Sequence, residues 1–196
     1  MRNSILFVFC LALFSCTPHY SPKPSSYFRI DFPEREYQLF DSIYPFTFEY
    51  PVYGVLIDNR RASSETWLNI NFPKYKGTIH LTHIDISAGG SFDKFIEDQQ
   101  KIIYSKIAQK ADAVDEFFID VPEHDVYGIL YNIGGNAASS VQFFVTDSVR
   151  NIIRGALYFS TRPNYDSLAP AINFFHQDII HLIGSLEWKE TMKKHN

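Results

Sequence analysis

Trp67-Leu68-Asn69-Ile70-Asn71-Phe72-Pro73-Lys74-Tyr75-Lys76-Gly77-Thr78-Ile79-His80-Leu81-Thr82-His83-Ile84 decides the fold class. Residues 67–72 alternate apolar and polar side chains, and residues 78–84 do so again. Successive side chains of a strand point to opposite faces, so this two-residue period predicts two half-buried strands. The join at 73–77 opens with proline and closes with glycine, which reads as a hairpin connection. Parallel strands need a crossover of a dozen or more residues, so this pair is antiparallel.

Working outward, residues 45–51 alternate between flanking prolines and predict a strand, and residues 52–57 suit another. The folded part begins near Tyr27; residues 27–32 are short and aromatic, and Pro33 interrupts them. On the other side Gly89-Gly90 breaks the sheet pattern, and Ser91 opens a helix to about residue 110. Its hydroxyl caps the first free amides, and Asp93 suits the positive end of the dipole. Phe92, Phe95, Ile96, Ile103 and Ile107 form the buried stripe, with Ile102 close by, and Lys94, Glu97, Asp98, Lys101 and Lys106 the wet one.

Residues 116–121, 125–133, 139–146 and 151–159 predict four further strands. The turns between them are Pro122-Glu123-His124, Gly134-Gly135-Asn136 and Asp147-Ser148. A last helix starts at Asp166 or Ser167, with Pro170 in its first turn. Leu168, Ile172, Phe175, Ile179, Leu182 and Leu186 give it a stripe to bury. Strands, helix, strands, helix imply an α+β domain with a central antiparallel sheet and two amphipathic helices on one or both faces. That order is similar to the Mog1/PsbP-like fold. One globular domain spans residues 27–190, and a polar tail follows at 191–196.

The amino terminus has a different character. Arg2 precedes an apolar run at 5–14, about half the roughly 20 residues that cross a bilayer, which suits a signal-peptide core. Leu13-Phe14-Ser15-Cys16 resembles the bacterial lipobox, which predicts removal of residues 1–15 and acylation of Cys16. The only cysteines are Cys10 and Cys16, which excludes disulfides, thiolate catalysis and cysteine-bound metal beyond position 16. Residues 17–26 carry Pro18, Pro22 and Pro24 and read as an extended tether, roughly 30 Å at about 3.1 Å per residue. The formal charge of −4 opposes binding to nucleic acid and to an anionic membrane surface, so the lipid makes the attachment. Aromatic residues are 16% of the chain, enough for a core and for part of a partner surface or a ligand pocket.

No constellation for bond-making chemistry stands out. His80 and His83 are three apart on a strand and face opposite ways. His176 and His181 are five apart on a helix, about 140° around its axis. Neither pair chelates a metal, and no cofactor motif is present. Gly134-Gly135-Asn136-Ala137-Ala138-Ser139-Ser140 lies between two strands, without the helix or spacing of a phosphate cradle. It reads as a turn with a positive φ at Gly134, Gly135 or Asn136. Its small residues admit a partner backbone closely, which makes Gly134, Gly135 and Asn136 the candidate partner-contact turn. Ser139 lacks a nucleophile elbow. Asp112, Asp115, Glu116, Asp120, Glu123 and Asp125 lack the order of a calcium loop and read as a solvated rim.

Several stretches together resemble a known family. They are the entry from Lys23-Pro24 through Phe28-Arg29-Ile30-Asp31-Phe32-Pro33, Trp67 through Lys74, Ile79-His80-Leu81-Thr82, Tyr131 through Ser139, Gln142-Phe143-Phe144-Val145-Thr146-Asp147-Ser148, Leu157-Tyr158-Phe159 and Pro163-Asn164-Tyr165-Asp166-Ser167. In this order they resemble the gliding motility lipoprotein GldD family of Bacteroidota. The resemblance implies a non-enzymatic accessory or assembly component of the gliding and type IX secretion machinery, with Cys16 as the acylated residue and other envelope proteins as partners. In that phylum acidic residues after the cysteine direct export to the cell surface. Thr17-Pro18-His19-Tyr20 lacks them, which implies a periplasm-facing domain; the resemblance also implies attachment to the outer membrane in preference to the inner. A small-ligand-binding periplasmic lipoprotein is the alternative, and a hydrolase using Ser139, Ser140 or a carboxylate pair is a third.

Overall fold

The computed structural model describes residues 30–59, 65–88, 91–107, 111–161 and 165–189. The signal segment, Cys16, the tether and the tail at 191–196 lie outside the described residues.

The architecture is α+β, with ten strands and two α-helices among the described residues. The strands are β1 (Tyr37–Asp41), β2 (Phe46–Pro51), β3 (Val55–Asn59), β4 (Glu65–Phe72), β5 (Gly77–Asp85), β6 (Ala113–Val121), β7 (Val126–Gly134), β8 (Ser139–Thr146), β9 (Asn151–Phe159) and β10 (Glu187–Trp188). The helices are α1 (Phe92–Lys101) and α2 (Tyr165–Gly184). Every strand pair is antiparallel. The main sheet has seven strands in the order β3-β4-β5-β9-β8-β7-β6. This is the central antiparallel sheet expected from the sequence, and β2 stands outside it in a second sheet, β1-β2-β10. β1 and β10 come from the two ends of the domain, so only the tertiary fold brings them together.

Burial follows the strand period. Leu68, Ile70, Phe72, Ile79 and Leu81 turn to one face and pack with Phe46 and Phe48 of the small sheet and Phe175, Ile179 and Leu182 of α2. The opposite face is covered over β7 and β8, where Ile103, Tyr131, Ile133 and Phe144 cluster with Phe95 and Ile96 of α1. β8 therefore lies between two covered faces, and all eight of its residues are buried. Each large apolar side chain so enclosed contributes about 1.5–3 kcal/mol.

Ser91 caps α1 as expected, its hydroxyl accepting from the Lys94 amide. The helix departs from expectation after Lys101, where residues Ile102–Ile107 wind as a wider π-helix. Ile102 and Ile103 are adjacent and cannot both face the sheet on a 3.6-residue period. The wider winding coincides with full burial of Ile103. α2 begins at Tyr165, so Pro170 sits in its second turn instead of its first.

The connections explain the register. Pro73–Tyr75 makes one short 3-10 turn closed by Lys76 at φ 52°, and Pro122–His124 repeats it, closed by Asp125 at φ 51°. Gly128 fixes the β7–β8 approach: a Cβ there would stand 1.9 Å from the Phe144 carbonyl oxygen, which is backbone and cannot swing aside. Gly128→Ala is expected to cost about 3 kcal/mol in urea unfolding, by forcing those strands apart.

A buried brace ties the small sheet to α2. Asp178 is 1% exposed. Tyr53 donates to its Oδ2 at 2.7 Å and Tyr37 to its Oδ1 at 3.0 Å, while Arg35 Nε stands 3.6 Å from Oδ1. Burial, then the neighbouring carboxylate, pushes the Tyr37 phenol up to about 12. His181 stacks on Tyr37 at 3.5 Å between centroids and meets Glu49 Oε2 at 2.6 Å.

Candidate functional site: a groove beside a free strand edge

Strand β6 is an outer strand of the seven-stranded sheet, paired to β7 along one side only. No strand among the described residues pairs with its outer side, which leaves those backbone groups able to join another chain. The strand runs Ala113-Val114-Asp115-Glu116-Phe117-Phe118-Ile119-Asp120-Val121. Adjacent residues face opposite sides, so neither face hides both aromatics: Phe117 is 51% exposed and Phe118 83%. Between β6 and α2 runs an apolar groove of about 440 Å³, walled by Phe117, Ile119, Val121, Leu130, Ile180 and Ile183. Ile180 is itself exposed, so the apolar surface continues onto the helix.

The groove meets a polar cavity of about 410 Å³ at His176, which lines both. Asp112, Asp115, Asn132, Ser140 and Asn173 line this cavity, together with Gly134, Gly135 and the apolar Ile133 and Ile172. Asn132 Oδ1 and His176 Nε2 are buried there without a hydrogen-bond partner among the described residues. Burial holds the His176 ring below the usual histidine pKa, so it is neutral at pH 7.

The expected partner-contact turn falls at this end. Gly135 alone of the three residues takes a positive φ, 82°, and a Cβ on it would press to 2.7 Å from the Asp112 carboxylate. The Asp112 amide donates to the Gly134 carbonyl at 3.1 Å, which fastens the turn to the start of β6. Asn136 is exposed and does not line the cavity. Of the carboxylates read as a rim, Asp112 and Asp115 line the cavity and Asp120 the groove, so an acidic border follows the free edge.

Ser139 is buried, and its hydroxyl donates to the Val141 carbonyl at 3.1 Å across a bulge in β8. Ser140 shares the cavity with His176, but no hydrogen bond joins them among the described residues. It sits on a strand, not at a strand-to-helix turn. His80 and His83 lie on opposite faces, His80 against Asn69 and His83 against Asn151. No group of three or more His, Asp or Glu among the described residues is placed to hold a metal.

Sequence reasoning missed the α2 wall of the groove. Ile180 lies off the stripe that marks the buried face, and its partners are about sixty residues away in the chain. The usable signal was the Phe117-Phe118 doublet, since adjacent aromatics in a strand need cover on both faces.

A family model described as gliding motility lipoprotein GldD matches residues 17–188. No curated protein matches this chain.

Proposed function

The chain belongs to the gliding motility lipoprotein GldD family, and from that premise we propose that it is a non-enzymatic accessory component of the gliding and type IX secretion machinery that works by docking an envelope protein along β6. The observation that carries this reading is the free edge of β6 beside the apolar groove. An extended segment adds to such an edge through main-chain hydrogen bonds, and alternate side chains enter the adjoining groove. Asp112, Asp115 and Asp120 border it, so the segment that fits has aliphatic residues facing α2 and basic residues at the rim.

Cys16 carries the lipid in this proposal, and residues 17–26 let the domain reach away from the bilayer. The domain faces the periplasm, and the outer membrane is the favoured site of attachment. No helix among the described residues is long and apolar enough to cross a membrane.

The test is a double substitution, Phe117→Lys with Phe118→Lys. Both side chains are at least half exposed, so the fold keeps its stability within about 1 kcal/mol. Two ammonium groups on the edge remove the apolar contact and reverse the local charge. Crosslinking in cells is expected to recover envelope partners at least about tenfold less well than with the unsubstituted chain. Equal recovery overturns the docking edge.

The polar cavity supports a second reading, a small-ligand-binding lipoprotein, because Asn132 Oδ1 and His176 Nε2 await a polar partner. If that cavity is the working site, His176→Ala abolishes function in cells while the double lysine variant retains it.

A further inference from the structure

The main sheet has a second distinctive surface, independent of the β6 groove. Its α1 side is covered over β7 and β8, but over β4, β5 and β9 it forms an open depression of about 290 Å³. Its lining falls on three cross-strand rows: Trp67 with Thr82 and Arg154, then Asn69 with His80 and Ala156, then Tyr158, whose row continues to Thr78 and Asn71 outside the depression. Trp67 and Tyr158 stand at opposite corners, 40% and 37% exposed. Strand and residue spacings put those corners about 17 Å apart.

Arg154 is the distinctive group. It is half-buried in mid-strand and has no hydrogen bond or ion pair among the described residues. Arg150, four residues earlier, forms a two-armed pair with Asp85, at 2.8 Å on the shorter arm. Asp98 and Lys101 of α1 line the neighbouring depression that Arg154 also borders, but neither pairs with it among the described residues. A guanidinium without a carboxylate in ion-pair range favours an anionic ligand, and its planar fork matches a carboxylate. Ala156, two residues on and on the same face, keeps the floor low between Arg154 and Tyr158. His80 Nδ1 meets Asn69 Oδ1 at 2.7 Å; the amide oxygen only accepts, so Nδ1 donates and Nε2 remains an acceptor. Its ring lies edge-on to Tyr158, 5.4 Å between centroids.

The backbone decides what kind of ligand this face suits. In mid-sheet the amides and carbonyls of β5 and β9 are taken up by the ladder on both sides, so an extended peptide finds no edge to join. What the described residues offer is the partly exposed side chains of Trp67 and Tyr158, hydroxyl and amide tips, and the Arg154 cation. Aromatic faces stack on the C–H faces of sugar rings, and neutral donors and acceptors match ring hydroxyls. We propose that the depression lined by Trp67, Asn69, His80, Thr82, Arg154 and Tyr158 binds a carboxylate-bearing oligosaccharide of about two or three rings, with its acid group on Arg154.

The full chain in detergent micelles, titrated calorimetrically, tests this with four probes: trigalacturonate, the neutral galactose trisaccharide, a phosphorylated glucosamine disaccharide and triglutamate. Trigalacturonate is expected to bind saturably and at least about tenfold more tightly than the neutral sugar. Arg154→Ala should abolish that preference, and Trp67→Ala should weaken both sugars. Arg154→Gln, which keeps much of the side-chain stem, serves if the alanine variant unfolds. Absence of saturable trigalacturonate binding overturns the proposal, as does a preference that survives loss of Arg154. Tighter binding of the phosphorylated sugar or of triglutamate overturns it in favour of those ligands.

Discussion

Cys16→Ala is expected to move the protein from the membrane pellet to the soluble envelope fraction, a change of at least about a thousandfold in partition. On the proposal that Cys16 is acylated, the size of the effect comes from the acyl chains. Each buried acyl methylene contributes about 0.8 kcal/mol, so removing the acyl chains removes most of the affinity for lipid. Electrostatics offers no substitute, since the net charge of −4 gives an anionic surface no attraction, and no helix among the described residues is long and apolar enough to cross a membrane. Fractionation of washed membranes, with mass spectrometry of the amino-terminal peptide, reads the result. A Cys16→Ala protein that stays in the pellet would place the attachment in the folded domain. An unmodified terminus beginning elsewhere would remove the lipid from the account. With the lipid established, the same variant asks whether proximity matters: secretion and surface spreading should fail although the domain is folded.

The sequence was most informative where one face of a strand is wet. β4, β5 and the hairpin between them were legible because Leu68, Ile70 and Phe72 alternate with polar neighbours and Pro73 punctuates the turn. It was least informative where pairing is set by distant segments. β1 lies between two prolines at the edge of a small sheet, and β10 is two residues long. Neither has a local pattern strong enough to announce it, so the second sheet that they form with β2 was not legible. The groove repeats that lesson. The turn at Gly134 and Gly135 could be read because glycine reports a backbone requirement directly. The wall opposite β6 could not, because Ile180 and Ile183 acquire a role only when α2 lies beside β6. Arg154 gives no sign in the sequence either; its interest is that no described residue pairs with it.

Asp178→Ala is expected to cost about 3–5 kcal/mol of unfolding free energy, the range for removing one partner from a buried charged network. Two phenols and a guanidinium converge on that carboxylate from β1, the turn after β2 and the segment before β1, so its removal strands three donors at once. Asp178→Asn keeps one oxygen to accept a phenol and should cost less. The pH dependence separates the charge from the packing. Burial, only partly offset by Tyr53, Tyr37 and Arg35, raises the Asp178 pKa above its ordinary 3.8. Between 3.8 and the raised value the folded protein holds a proton that the unfolded chain has released. The aspartate's contribution to stability therefore falls as pH rises through that window. Asparagine does not titrate, so the advantage of the unsubstituted chain over Asp178→Asn should be larger at about pH 4 than at about pH 7. Urea unfolding of both proteins at the two pH values measures it. A difference independent of pH would mean that the same protonation state is held in the folded and unfolded chains, and the brace would then act through shape and hydrogen bonding alone.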